Sequence, residues 1–191
     1  MAQGVDNSAA PLDHFTIPAN TTVFLADVVA DTLGKSGLGT IVVFGETPGL
    51  AFDGSAQMLG FSRIWTNQPN ATGTVSLQFP AVSLTDSLGS LVAFAAGLRH
   101  DSQYRTNVGI VNLDTVAHTW TIRIVGLAQA PASFTVTVPP VSMKQVSLPT
   151  GNYGDLFLEF ESDGFGFWWS GYGASVDNIT GDGWVARAIQ P

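Results

Sequence analysis

The candidate bases of this chain are its three histidines, His14, His100 and His118. Nucleophilic catalysis needs a hydroxyl or thiol, a histidine to take its proton and a carboxylate to orient the ring. Cysteine is absent, which removes thiol nucleophiles, disulfides and thiolate zinc sites together. Asp13-His14 and His100-Asp101 are adjacent pairs, and neighbours on an extended strand point to opposite faces. Gly60-Phe61-Ser62-Arg63 lacks the second glycine of a Gly-x-Ser-x-Gly elbow. The histidines therefore read as loop or strand residues and the chain as a non-enzyme. A hydrolase whose site is not visible in the sequence is the enzymatic alternative.

Oxygen donors are the second kind of chemistry. Asp177-Asn178-Ile179-Thr180-Gly181-Asp182 gathers several in one loop, and calcium takes oxygen ligands in number. Asp177, Asn178 and Asp182 are the candidate ligands. Ile179 stands where an EF-hand places a ligand, so the competing reading is an Asx turn that needs no ion. No cofactor is expected, with calcium as the alternative. Glu159, Glu161 and Asp163 share one strand face and read as a solvated surface. Paired acids for glycoside hydrolysis would need a set separation across a cleft, and fifteen scattered acids single out no pair.

The most unusual stretch is Phe165-Gly166-Phe167-Trp168-Trp169-Ser170-Gly171-Tyr172. Drawn as a strand, it places Phe165, Phe167 and Trp169 on one face and Trp168 with Gly166 and Ser170 on the other. A planar aromatic beside small residues can stack on a sugar ring or on a partner surface. Trp168 and Tyr172 are thus the candidate ligand-binding residues, against the plainer reading that a loop covers Trp168. Trp65, Trp120 and Trp184 lie in alternating segments and read as core. Three Asn-x-Thr sequons begin at Asn20, Asn70 and Asn178.

The elements that must position these residues are strands. Trp120, Ile122 and Ile124 alternate with Thr121 and Arg123. Phe134, Val136 and Val138 alternate with Thr135 and Thr137. Leu156, Leu158 and Phe160 oppose Glu159 and Glu161, and Val75, Leu77 and Phe79 oppose Ser76 and Gln78. Thr40 to Phe44 is a continuous apolar run, as in a strand covered on both faces. Turn signals such as Thr47-Pro48-Gly49, Gln68-Pro69-Asn70, Pro139-Pro140 and Thr150-Gly151-Asn152 separate the runs. Only residues 25–34, with Leu25, Val28, Val29 and Leu33 at helical spacing and Gly34 as a stop, read as a short helix. The expected fold is all-β, an immunoglobulin-like β-sandwich.

The order of elements occurs twice. Ile17-Pro18, Val23-Phe24-Leu25, Gly39 to Phe44 and Gly60 to Trp65 are matched by Val138-Pro139, Gln145 to Leu148, Gly154 to Leu158 and Tyr172 to Asp177. Two strand-like runs, Tyr104 to Asn112 and His118 to Gly126, precede the second series. Only Phe15 to Pro18 precedes the first, whose opening strands would lie upstream of Met1. The expected division is a flexible segment over 1–12, an incomplete first repeat over 13–89 and a second repeat over 90–191, with fusion into one domain as an option. Tyr104-Arg105-Thr106-Asn107-Val108-Gly109-Ile110-Val111-Asn112 and Ser175-Val176-Asp177-Asn178-Ile179-Thr180-Gly181-Asp182 resemble the opening and closing segments of a duplicated β-sandwich repeat of secreted bacterial proteins. Gly183 stands where that group usually has proline. The resemblance implies an exported accessory or structural module and no particular reaction.

Composition narrows the partners. The 191 residues carry seven basic side chains against fifteen acids, a net charge of -8, which leaves no electrostatic footprint for nucleic acid or anionic lipid. No apolar run is long enough for a membrane-spanning helix. Met1 to Pro11 lacks the features of a signal peptide; low charge, many glycines and the resemblance point to a secreted or cell-surface location, with the leader absent from this sequence. Few lysines remove a common brake on strand-edge association. The leading expectation is a structural or interaction module that binds itself or another surface protein. A carbohydrate-binding module using the aromatics near 165–172, with a glycan partner, is the alternative.

Overall fold

Period-two alternation between residues 90 and 191 becomes two facing antiparallel sheets. The computed structural model describes residues 1–68, 72–87 and 89–191. The described strands are β1 (Phe61–Asn67), β2 (Thr74–Pro80), β3 (Val92–His100), β4 (Tyr104–Asn112), β5 (His118–Gly126), β6 (Ala132–Val138), β7 (Ser142–Ser147), β8 (Gly154–Ser162), β9 (Trp169–Asp177) and β10 (Gly183–Arg187). One sheet has the order β10-β9-β4-β7 and the other β3-β8-β5-β6, while β1 and β2 form a separate hairpin. The chain crosses between layers at β3–β4, β4–β5, β6–β7, β7–β8 and β8–β9, which makes an immunoglobulin-like sandwich of β3–β10.

The alternating side chains fill the space between the layers. Trp120, Ile122 and Ile124 of β5 and Leu158 and Phe160 of β8 are fully buried against Val108 and Ile110 of β4 and Trp169 of β9. Thr121 and Arg123 face outward, and Arg123 donates to Glu159 directly across the strand pair at 3.0 Å. β9 departs from alternation because small residues line its inner side. Gly171 lies against Phe160 and Trp169, and Gly173 against Leu98 and Leu158. A side chain at Gly173 would meet Leu98 at 2.2 Å, so glycine lets the two sheets approach there.

The outer face of the first sheet is covered by β2. Val75 packs over Gly181, Leu77 over Gly183, and Phe79 meets Tyr172 edge-on at 5.3 Å. Val75 is buried, whereas every residue of β1 is exposed. Sheet edges are partly blunted. Gly4 donates to the Met143 carbonyl beside β7, and Phe94 of β3 exchanges backbone bonds with Ile189.

Two expectations are altered, the strand at Thr40 to Phe44 and the burial of two tryptophans, and the short helix is found where it was expected. Thr40 to Phe44 forms no strand. Its only ladder contacts are at its start, where Gly39 bridges Ala2 and Thr40 donates to Met1. A strand is held by neighbours that take its N–H and C=O groups, and none flanks this run. Ile41, Val42, Val43 and Phe44 stay exposed in consequence. The helix near 25–34 is one wide turn, Val28–Thr32, capped by Asp27 accepting from the Ala30 amide and followed by Gly34 at φ +58°. It buries no residue, so packing does not extend it. Of the three tryptophans read as core, Trp120 is buried, but Trp65 lies on exposed β1 and Trp184 is 39% exposed. The turn and sequon at Asn70 fall on residues outside those described.

Candidate functional site

The aromatic segment enters β9 through a loop, and the loop sorts its side chains. Phe167 and Trp169 turn into the core. Phe165 and Trp168 are left outside, 80% and 47% exposed. Trp168 has its carbonyl bonded to the Leu113 amide at 3.0 Å, which pins its backbone to the β4–β5 connection. Tyr172 lies four residues on, roughly 13 Å at strand rise, and is taken up within the chain. Its ring covers Gly109, its hydroxyl donates to Gln145 Oε1 at 2.7 Å, and Phe79 closes over it. Burial pushes its phenol up to about 12. The aromatics of this segment left exposed are therefore Phe165 and Trp168, while Tyr172 anchors the β2 lid.

Beside this segment lies a cluster that residue spacing did not flag. His118 opens β5 with Nε2 2.9 Å from Asp114 Oδ2 and Nδ1 2.7 Å from Asp163 Oδ1. Its ring stacks on Phe167, with centroids 3.6 Å apart and planes 5° from parallel. Asp163 Oδ2 accepts from the Thr119 amide at 2.7 Å. Burial lowers the affinity of His118 for a second proton, but the two carboxylates outweigh it and the net shift is upward. The hydrogen bond from His118, with those from Thr115, holds Asp114 below its usual range. With both ring nitrogens engaged by acids, the imidazolium is a clamp between the β4–β5 and β8–β9 connections. A general base needs one nitrogen free toward a hydroxyl. The readable signal was Asp114 and His118 on either side of a tight turn.

The other histidines are each held at Nδ1. His100 Nδ1 accepts from the Thr106 amide at 3.0 Å, which fixes the neutral tautomer, and burial lowers its proton affinity. His14 Nδ1 lies 2.8 Å from Glu46 Oε2.

The acidic loop closes as an Asx turn. Asp177 Oδ1 accepts from the Ile179 and Thr180 amides, and Oδ2 accepts from Gln103. These bonds lower the Asp177 carboxyl. Asn178 Oδ1 accepts from the Arg105 guanidinium at 2.9 Å, so a cation already stands beside the loop. Asp182 contributes its carbonyl to the Asp177 amide. Among the described residues, no three acid or histidine side chains converge as a metal cage.

A shallow groove of about 470 Å³ runs beside the β3 bulge, lined by Arg99, Tyr104, Leu127, Asp155 and Trp184 among others. Gly97, at φ +77°, makes that bulge and presents its carbonyl to the Trp184 indole at 2.7 Å. Arg99 lies 4.9 Å over the Tyr104 ring and Trp184 meets that ring edge-on. The stacking face of Tyr104 is thereby occupied from within.

No family model matches the chain, and no curated protein matches it. A solved structure, the crystal structure of Thermotoga maritima 1070, is similar with a TM-score of 0.45 at 11% identity, over 54% of this chain and 96% of that one.

Proposed function

We propose that the chain is a non-catalytic structural or interaction module of an exported bacterial protein, associating with itself or with another surface protein through its first half. The observation that carries this reading is the apolar surface between Phe15 and Trp65. Phe24, Phe52, Leu59, Phe61 and Trp65 are all more than half exposed, Leu59 completely. Soluble monomers rarely keep contiguous apolar patches beyond a few hundred Å². The resemblance to secreted bacterial repeats supports an exported location. His118, with both ring nitrogens on carboxylates, lacks the free nitrogen that a hydrolytic base requires, which supports a non-catalytic reading of that cluster.

Sedimentation over a concentration series tests the reading: the average mass rises with concentration if the first half mediates association. A chain that is strictly monomeric and binds no apolar dye would remove the proposal. The second reading, a carbohydrate-binding module, rests on Phe165 and Trp168, left exposed in the aromatic segment. It predicts glycan-array binding that Trp168→Ala abolishes without lowering the thermal midpoint. A blank array for the native chain removes it.

A further inference from the structure

The outer strands of the sandwich are β3, β6, β7 and β10, and an outer strand exposes a row of backbone groups. Three of these edges are guarded. β3 exchanges backbone bonds with Ile189 and carries the Gly97 bulge. Gly4 and the Gln3 side chain bond the edge of β7 at Met143 and Gln145. β10 spans only Gly183–Arg187, and its Trp184 is tied to the Gly97 carbonyl. β6 has none of these devices, and Thr119 shows which of its groups face out. The Thr119 amide and carbonyl both bond Asp163, on the β8 side of β5, at 2.7 and 2.9 Å. Thr119 is therefore turned away from Thr137, its register partner. The two hydroxyls meet at 2.9 Å, as in a non-hydrogen-bonded pair. By alternation, the amides and carbonyls of Ser133, Thr135 and Thr137 point out of the sheet, while Phe134, Val136 and Val138 bond β5. Among the described residues, no backbone group takes up the outward ones. Lys144 Nζ lies 3.5 Å from the Thr137 carbonyl, at one end of the edge.

We propose that the β6 edge is a self-association seam whose occupant is β6 of a second copy, run antiparallel about a two-fold axis at Thr135. This is a surface separate from the first half. Thr135 then faces Thr135 of the second copy, and Ser133 faces Thr137 of the second copy. Each such pair exchanges two backbone bonds, so every outward group is used and Thr137 is released from its long contact with Lys144. On the inner side, the half-buried Phe134 is covered by Val136 of the second copy. On the outer side, the seam continues the cross-strand pairs Thr119–Thr137 and Thr121–Thr135. Charge selects this edge. A net charge of -8 makes copies repel at long range, but residues 127–143 hold no charged side chain. The charge that stands at the edge, Lys144, is opposite in sign to the acidic second copy. Pro131 and Pro139-Pro140 bracket β6 and end the seam. The contact is the same on both chains, so it closes at two. Two four-stranded sheets become one continuous sheet joined β6 to β6.

Residue-resolved hydrogen exchange of the full chain by NMR, in dilute and concentrated samples, tests the seam. The expected result is at least tenfold slower exchange of the Thr135 amide in the concentrated sample, with Phe134 and Val136 protected in both. T135P removes an outward amide and leaves every bond to β5 in place. It should weaken dimerisation at least tenfold in sedimentation equilibrium. If T135P does not fold, T135K and T135E take its place, since each sets like charges opposite one another across the axis. Each alone should dimerise several-fold more weakly than the native chain, and an equimolar mixture should regain the dimer. Thr135 exchange that does not depend on concentration overturns the proposal. So does a folded T135P that dimerises as tightly as the native chain, or a mixture of T135K and T135E no more associated than its parts. Association through the first half is read separately. The substitutions F61S, I64S and W65S should leave the Thr135 result unchanged, and a first half that does not associate would overturn that reading alone.

Discussion

His118 makes two hydrogen bonds to carboxylates as a cation and at most one donated bond as a neutral ring. Its proton affinity is raised in the folded chain. The clamp therefore contributes fully below the unfolded value of about 6.5 and is lost as pH rises through the raised folded value. His100 runs the other way. Burial lowers its proton affinity, so its contribution is complete above about pH 6.5 and fades as pH falls. Thermal melts across pH 5 to 9 should show an alkaline decline that H118Q flattens and H100Q does not. Equal declines in native and H118Q proteins would contradict the clamp. Gly109 makes a steric prediction. A methyl there would lie 2.0 Å from the Tyr172 ring, so G109A should cost about 1–3 kcal/mol by overpacking. Added to a Tyr172→Ala background, it should cost far less, as a double-mutant cycle in urea would show. At the loop, the carboxylate of Asp177 is spent on amides. Addition of calcium or of a chelator should leave the melting midpoint unchanged.

At the scale of elements, the β2 lid is the join between the halves. Val75→Asp places an unpaired carboxylate against Gly181 and should cost about 1–3 kcal/mol, with Tyr172 fluorescence reporting the loss of Phe79 from its ring. Unchanged stability would mean that the hairpin does not cover the sheet in solution. The contrast between elements also shows what the sequence could carry. β5, β6 and β8 were legible because large apolar residues alternate with polar ones on one buried face. β9 was legible only as a strand of uncertain start, since glycines line its inner side and the β2 lid hides its outer side. The aromatic segment was half readable: Trp168 is exposed as drawn, but Phe165 parts from Phe167 and Trp169 because the segment bends before β9 begins. Thr40 to Phe44 misled because its apolar composition specifies a buried strand, whereas forming one depends on neighbours that composition does not mention. The cluster around His118 escaped notice because Asp163 reaches the ring from 45 residues away.

The whole molecule joins a closed sandwich to a first half whose apolar residues lie mostly outside its core. Residues 90–191 hold the contiguous core, including Trp120, Phe160 and Trp169, while the preceding apolar residues are mostly outside it. Limited proteolysis should cut first between residues 13 and 60 and leave a fragment containing β3–β10. Preferential cutting within β4 or β8 would be inconsistent with this division. The chain's excess of acids keeps it charged but does not cover the apolar face, and association is the expected result.

Sedimentation velocity of the native chain beside a variant carrying Phe61→Ser, Ile64→Ser and Trp65→Ser on exposed β1 tests the central claim most directly. The account predicts that the mass of the native chain climbs with concentration and that the triple variant stays nearer the monomer with its sandwich intact by circular dichroism. A native chain that remains monomeric throughout, or a variant that associates equally, would contradict it.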